Sequence, residues 1–254
     1  MSESARPIRV IVHAGFHKTG TTTVQRCLQI NRAILAPHAQ VLLRADLMGT
    51  STAAGLYARW RLPPLRLWLR SRLRRALRRH PPVPDAAVVI SCERLSGMMP
   101  GRHGRWRYDL APELAVETVR ALRAVWGPRL EIGFVYTTRD RDAWTESVWR
   151  HLVQHDGMRL PFERFGERLA GAPDLEDLVE EVRARILPVP VETVALENWE
   201  DAPLGPAEPI LRLAGLWDEV LDELIPVPPA NVGQSMDAAR ATIRGGATAG
   251  DDWP

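Results

Sequence analysis

The residues best suited to chemistry in this 254-residue chain come early, as Gly15-Phe16-His17-Lys18-Thr19-Gly20-Thr21-Thr22. Two glycines bound a segment that offers an ammonium, an imidazole and hydroxyls, all of them groups that hold anions. The run from Ile8 to Val12 before it is apolar, and Val24, Leu28 and Leu35 after it recur as on one face of a helix. The pattern predicts a strand, a glycine-bounded turn and a helix start. Such a turn aims unpaired N–H groups and the positive end of a helix dipole at one place, where phosphate is the usual ligand.

An ATP-type phosphate loop has the spacing of Gly15 to Gly20 but carries its lysine directly after the second glycine. Here Thr21 takes that position and the lysine is Lys18, inside the loop. Of the 33 lysines and arginines in the chain, Lys18 is the one lysine. Either the single lysine fell there by chance, or this position needs a compact ammonium that a planar guanidinium cannot replace.

Three further groups could join this loop. The apolar run Ala86 to Ile90 reads as a buried strand and ends in Ser91-Cys92-Glu93-Arg94. In a doubly wound sheet ligands sit beyond the carboxyl ends of strands, so Glu93 would face the same crevice as Lys18, as a general base or as a structural acid paired with an arginine. The strand predicted from Leu130 to Thr137 ends in Thr138-Arg139-Asp140, and Ser147 follows two turns into the next helix. Arg139 and Ser147 can converge on one anion, the first by charge and the second by hydroxyl. The loop Gly101 to Arg107 combines His103, Arg105 and Trp106, suited to a polar or acidic substrate or to a surface turn.

These groups need an alternating α/β framework to position them, and the chain supplies its signals. Val41 to Leu43 predicts a short strand, Pro112 to Trp126 a helix, and Pro161 to Ala170 and Asp174 to Leu187 two more. Between Leu56 and His80 the chain carries nine arginines and no acid. Leu65, Leu69, Leu73 and Leu77 recur every four residues opposite Arg66, Arg70, Arg74 and Arg78, which predicts an amphipathic helix. Its cationic face could dock an acidic acceptor, rest on a membrane surface, or simply be solvated. The whole reads as one domain, 1–254, with a basic helical insertion at about 46–84 and a loosely held tail at about 230–254.

Composition narrows the setting. A formal charge of +2 and a 45% hydrophobic content fit a globular protein and give no global signal for nucleic acid. The two cysteines, Cys27 and Cys92, make no disulfide framework, and no stretch approaches a membrane span or a signal peptide, so a cytoplasmic setting is expected. His151 and His155 stand at helical spacing as a metal pair or a solvated face; no metal is expected. Oligomeric state leaves no mark on the sequence.

In this order and spacing the motifs resemble sulfotransferases that use 3′-phosphoadenosine 5′-phosphosulfate (PAPS). His17-Lys18-Thr19-Gly20-Thr21-Thr22 is similar to that family's 5′-phosphosulfate loop, and the Arg139 to Ser147 pair to its 3′-phosphate site. Val191 to Glu197 resembles the following strand that ends in an acid, and Leu211 to Leu216 the helix ending in Leu-Gly. Where the cytosolic branch has an adenine-stacking Trp this chain has Thr23, which is closer to the carbohydrate sulfotransferases and their bacterial relatives. The family's late cofactor loop has only a loose echo in Arg244-Gly245-Gly246 and Gly250-Asp251-Asp252-Trp253.

The resemblance implies a three-layer α/β fold, a parallel sheet flanked by helices of the P-loop NTPase-like sulfotransferase type. It implies that His17, Lys18, Thr19, Gly20, Thr21, Thr22, Thr23, Arg139 and Ser147 bind PAPS, with PAP as product and no metal. Glu93 would be the base, with His103 as second choice because the cytosolic branch uses a histidine, and Lys18 would stabilise the leaving group. Arg94, His103, Arg105 and Trp106 would meet an acceptor, acidic or sugar-like, whose hydroxyl or, as second choice, amine receives the sulfuryl group. Two other classes stay open at this point: an ATP-dependent small-molecule kinase, which lacks a lysine after Gly20 and a clear strand-end aspartate for magnesium, and a non-catalytic protein that binds polyanions or membranes through the arginine helix.

Overall fold

The first apolar run forms strand β1, Ile8–His13, and the glycine-bounded turn leads directly into helix α1, Thr21–Ile30. The computed structural model describes residues 7–199, 201–228 and 235–244. After α1 come α2 (Arg32–Leu35), β2 (Ala39–Leu43), α3 (Thr50–Trp60), α4 (Pro63–Arg79) and β3 (Ala87–Ser91). A 3-10 turn at Glu93–Ser96 and a loop precede α5 (Ala111–Trp126), β4 (Leu130–Thr138) and α6 (Arg141–Asp156). The remainder holds α7 (Phe162–Leu169), α8 (Leu175–Ile186), β5 (Val191–Ala195), α9 (Ala207–Leu213), α10 (Asp218–Leu221) and α11 (Met236–Arg244).

The five strands form one parallel sheet in the order β2-β3-β1-β4-β5, with Val12 opposite both Ile90 and Phe134. Because side chains alternate along a strand, each buried strand feeds two cores. Val10, Val12, Ile90 and Phe134 point into the core shared with α4, α5, α6 and α8. Ile11, Val89 and Val135 point into the other, against α1 and α9. Helices therefore cover both faces, which makes the chain a three-layer α/β structure. From β1 the chain moves out to β2, returns through β3, and crosses to β4 on the far side of β1. That reversal leaves the carboxyl ends of β1, β3 and β4 around a common opening.

The basic insertion between β2 and β3 is a helical hairpin. Pro63 forces Leu62 into an extended conformation and opens α4, while Arg61 ends α3 with φ 52°. The apolar face of α4, Leu69, Leu73, Ala76 and Leu77, is buried as its four-residue spacing predicts. Part of the charged face is turned to α5: Arg66 Nη1 lies 3.1 Å from Glu113 Oε1, and Arg70 donates through Nε and Nη2 to both oxygens of Glu117, each at 2.7 Å.

Within the predicted tail, α11 packs on α6, with Ala239 fully buried and Met236 and Ile243 against the same core. Residues 229–234 and 245–254 lie outside the described residues, and with them most of the loose echo of a cofactor loop; Arg244 ends α11. Among the described residues no helix is long and apolar enough to cross a membrane.

Candidate functional site

A cleft of about 740 Å³ opens at the carboxyl ends of the strands. The turn after β1 and the start of α1 bring His17, Lys18, Thr21 and Thr22; the residues after β3 bring Glu93 and Arg94; the end of β4 and α6 bring Arg139 and Ser147. Loci the sequence predicted at three separate places thus share one cavity. Arg44, which follows β2, Arg102, Arg150, His151 and Gln154 line it too, and none of these was predicted there.

The turn is shaped to leave its N–H groups unused. Lys18 and Gly20 both have left-handed backbones, φ 69° and 83°. For a lysine this costs about 1–3 kcal/mol, a strain typical of ligand-holding loops. At Gly20 a Cβ would stand 2.7 Å from Leu196 Cδ1, so shape and φ both demand glycine. The N–H groups of Lys18, Thr19, Gly20, Thr21 and Thr22 have no acceptor among the described residues, and no side chain caps α1. The Arg139 guanidinium reaches across to the Lys18 carbonyl at 3.5 Å. Thr23 faces away and is buried; its methyl lies 3.2 Å from where a side chain on Gly205 would begin.

Beneath the turn runs a polar chain that links three strands. His13 Nδ1 is 2.8 Å from Ser91 Oγ, His13 Nε2 is 3.3 Å from Thr137 Oγ1, and Thr137 Oγ1 is 2.7 Å from Thr19 Oγ1. Thr19 donates to the Phe16 carbonyl at 2.6 Å, which assigns the direction of every other link: Thr137 donates to Thr19, His13 to Thr137, and Ser91 to His13. This needs a neutral His13, and burial, opposed by the Glu93 charge, lowers its pKa to about 4. Gly15 lies over the chain, where a Cβ would come within 2.5 Å of His13 Nε2.

His17 is fixed on several sides. Its N–H donates to the Tyr108 hydroxyl at 3.0 Å, its carbonyl accepts from Trp144 Nε1 at 2.9 Å, and Nδ1 is 3.1 Å from the same hydroxyl. The Tyr108 proton has Nδ1 as its acceptor, so the ring proton belongs on Nε2. Burial, then the Arg94 and Arg102 charges, hold the imidazole well below its usual pKa, hence neutral. Nε2, shut off from solvent, has no partner among the described residues. It is a neutral donor in reserve beside the loop.

Around these donors stand six cations and one carboxylate: Lys18, Arg44, Arg94, Arg102, Arg139 and Arg150 against Glu93. Arg102 forks onto Asp156 at 2.9 and 3.1 Å, and Arg150 lies 3.4 Å from Glu146. Lys18, Arg44, Arg94 and Arg139 form no ion pair among the described residues. Burial, then Arg139 and Arg150, lower the Lys18 pKa, an imbalance that a bound anion would relieve. Glu93 is not the partner of an arginine; it accepts from Gln25 Nε2, one turn into α1 from Thr21, at 2.7 Å. The helix that presents the anion-binding turn therefore also orients the carboxylate.

Three predicted acceptor residues are not brought to the cleft. Arg102 to Arg105 form a tight turn, with Gly101 N–H on the Arg105 carbonyl at 2.7 Å and positive φ at His103 and Gly104, 50° and 66°. That geometry puts His103 at the exposed tip and Arg102 at the base, facing the cavity. Arg105 donates to the Arg59 carbonyl at 3.0 Å, and Trp106 packs on Phe165 with Arg168 over its ring. The His151 and His155 rings lie 4.6 Å apart, and no third metal-type ligand joins them among the described residues.

No family model matches the sequence, and no curated protein matches it. The cleft combines unused N–H donors, a neutral imidazole donor and cations without an ion pair, which suit an anion with several charged groups, and the Glu93 carboxylate lines the same cavity.

Proposed function

We propose that this chain is a PAPS-dependent sulfotransferase, a P-loop-like three-layer α/β domain that moves a sulfuryl group to a hydroxyl. The observation that carries the reading is the row of unused N–H groups from Lys18 to Thr22 together with Lys18, facing Glu93 across one cleft. The donor nucleotide supplies an activated sulfuryl group on a phosphate. Lys18, the N–H row and the Thr21 and Thr22 hydroxyls would hold its phosphosulfate, with His17 Nε2 as a further donor. Arg139 and Ser147, on the β4 side, would hold the 3′-phosphate.

Glu93 would accept the proton of the acceptor hydroxyl while the hydroxyl oxygen forms its bond to sulfur. The bond from sulfur to the bridging phosphate oxygen would break in the same step, and Lys18 would stabilise the negative charge left on that oxygen. Fixed donors and one ammonium supply electrostatic stabilisation of the kind that dominates phosphoryl transfer. Gln25 would keep the Glu93 carboxylate in place through its Nε2 hydrogen bond.

The test is Glu93→Gln, which preserves shape and removes the base. Turnover with PAPS should fall on the order of a hundredfold while PAP affinity stays unchanged. A variant that keeps its turnover while His103→Ala loses it would move the base to the exposed turn.

A further inference from the structure

Two of the cations have no use in holding the donor. The strand order β2-β3-β1-β4 lays the groups out sideways: Arg44 after β2, Glu93 and Arg94 after β3, the anion-binding turn after β1, and Arg139 after β4. Parallel strands are about 4.8 Å apart, so the ends of β2 and β4 are separated by three such spacings, roughly 14 Å. A nucleotide whose 5′ end lies on the β1 turn and whose 3′-phosphate lies by Arg139 extends away from Arg44 and Arg94. Glu93 lies between the two groups.

The second group has a built setting. Arg94 Nη1 lies 3.2 Å from where a Cβ on Gly55 would stand, in the middle of α3. A glycine inside a helix is destabilising relative to alanine. Here it leaves the room through which the guanidinium passes. Arg44 and Arg94 form no ion pair among the described residues, and Arg102, although bound to Asp156, adds its charge to the same side. Burial first, then Arg102 and Arg44, lower the Arg94 pKa, and the Glu93 charge only partly opposes them.

We infer that the acceptor carries an oxyanion, a carboxylate or a phosphate, close to the hydroxyl that is sulfated, and that Arg44 and Arg94 bind that group. The inference rests on the sulfotransferase reading of the cleft. It makes the two arginines specificity determinants that set the reacting hydroxyl beside Glu93, and Gly55 a positioning residue for Arg94.

The experiment has two arms on the full chain. PAP is first titrated into wild type and into the Arg44→Gln/Arg94→Gln double variant; both should bind it equally, which also shows that the variant folds. Each PAP-saturated protein is then titrated with matched probes: glucuronate and glucose 6-phosphate against glucose, and 4-hydroxybenzoate against 4-hydroxybenzyl alcohol. In wild type at least one anionic member should bind about tenfold or more tighter than its neutral partner, and the double variant should lose that advantage. Carboxylate and phosphate probes identify which oxyanion fits. Gly55→Ala should weaken the same anionic probe and leave PAP alone. Equal affinity within every pair, no binding by any anionic probe, or a preference that survives in the double variant would overturn the inference while the donor reading stands. Failure of wild type to bind PAP would overturn the donor reading, and the inference with it.

Discussion

In α4, Arg70 places two N–H groups on Glu117, a carboxylate only 2% exposed, and Arg66 reaches Glu113. In the cleft, Lys18, Arg44, Arg94 and Arg139 form no ion pair among the described residues, although Glu93 lines the same cavity. Sequence composition ranks these regions the wrong way round, since arginine is densest between Leu56 and His80. Pairing separates Arg66 and Arg70 from the cleft cations, while Arg74, Arg75 and Arg78 on the same helix form no ion pair among the described residues. A cation whose charge is met inside the protein ties elements together, whereas one held near other cations, on a backbone kept in a strained conformation, is in place for a ligand. Burial works against the Glu117 charge, yet the Arg70 fork and then Arg120 outweigh it and hold the carboxyl below its usual range. Lys18 has the reverse imbalance, with burial and two neighbouring arginines all working against its proton.

The contrast can be broken first at its cleft end. Lys18→Arg keeps the charge but puts a planar fork where a compact ammonium fits, and turnover should fall on the order of 10²–10³-fold. Steady-state kinetics near those of wild type would mean that any cation serves. At the other end, Arg70→Met keeps most of the stem and strands the Glu117 charge. Stability should drop by about 3 kcal/mol, the low end for a broken buried pair because Arg120 lies 3.5 Å from the same carboxylate. Chemical denaturation would report this, with PAP affinity unchanged; a loss of affinity at unchanged stability would make α4 a ligand surface after all.

A smaller effect sharpens the picture of what supports the turn. His13 holds a pKa of about 4 in the fold against 6.5 in an unfolded chain, mainly through burial. Protonation therefore favours unfolding, and the contribution is complete above about pH 6.5 and lost as pH falls toward 4. By pH 5 the loss should be about 2 kcal/mol. His151, also lowered to about 4 by burial and then Lys18, acts in the same window, so the relevant quantity is the difference between wild type and His13→Asn. If the two proteins lose stability in parallel between pH 7 and pH 5, His13 is not the group that titrates.

Much of the framework was legible because local patterns decide it. The apolar runs became the strands, Gly15 to Thr22 became a turn into a helix, and Asp140, read from sequence at a strand end, caps α6 by accepting from Ala143 N–H at 3.0 Å. What escaped depends on contacts between distant segments. Ser91, His13 and Thr137 meet only because β3, β1 and β4 are adjacent, and Arg44 enters the cleft only because β2 lies outside β3. Gln25 carried a faint signal, one helical turn beyond Thr21. The loop from Gly101 to Arg107 was correctly read as cationic, but a two-residue turn decides which cation faces inward, and positive φ at His103 and Gly104 delivered Arg102.

The most direct test of the central claim is calorimetric titration of the purified protein with PAP, compared with ADP and with ATP plus magnesium. PAP should bind about tenfold or more tighter than ADP, and Arg139→Ala should remove the difference, because a charged 3′-phosphate is what Arg139 and Ser147 would meet. Binding of ATP with magnesium but not of PAP would contradict it and turn the same cleft into that of a kinase.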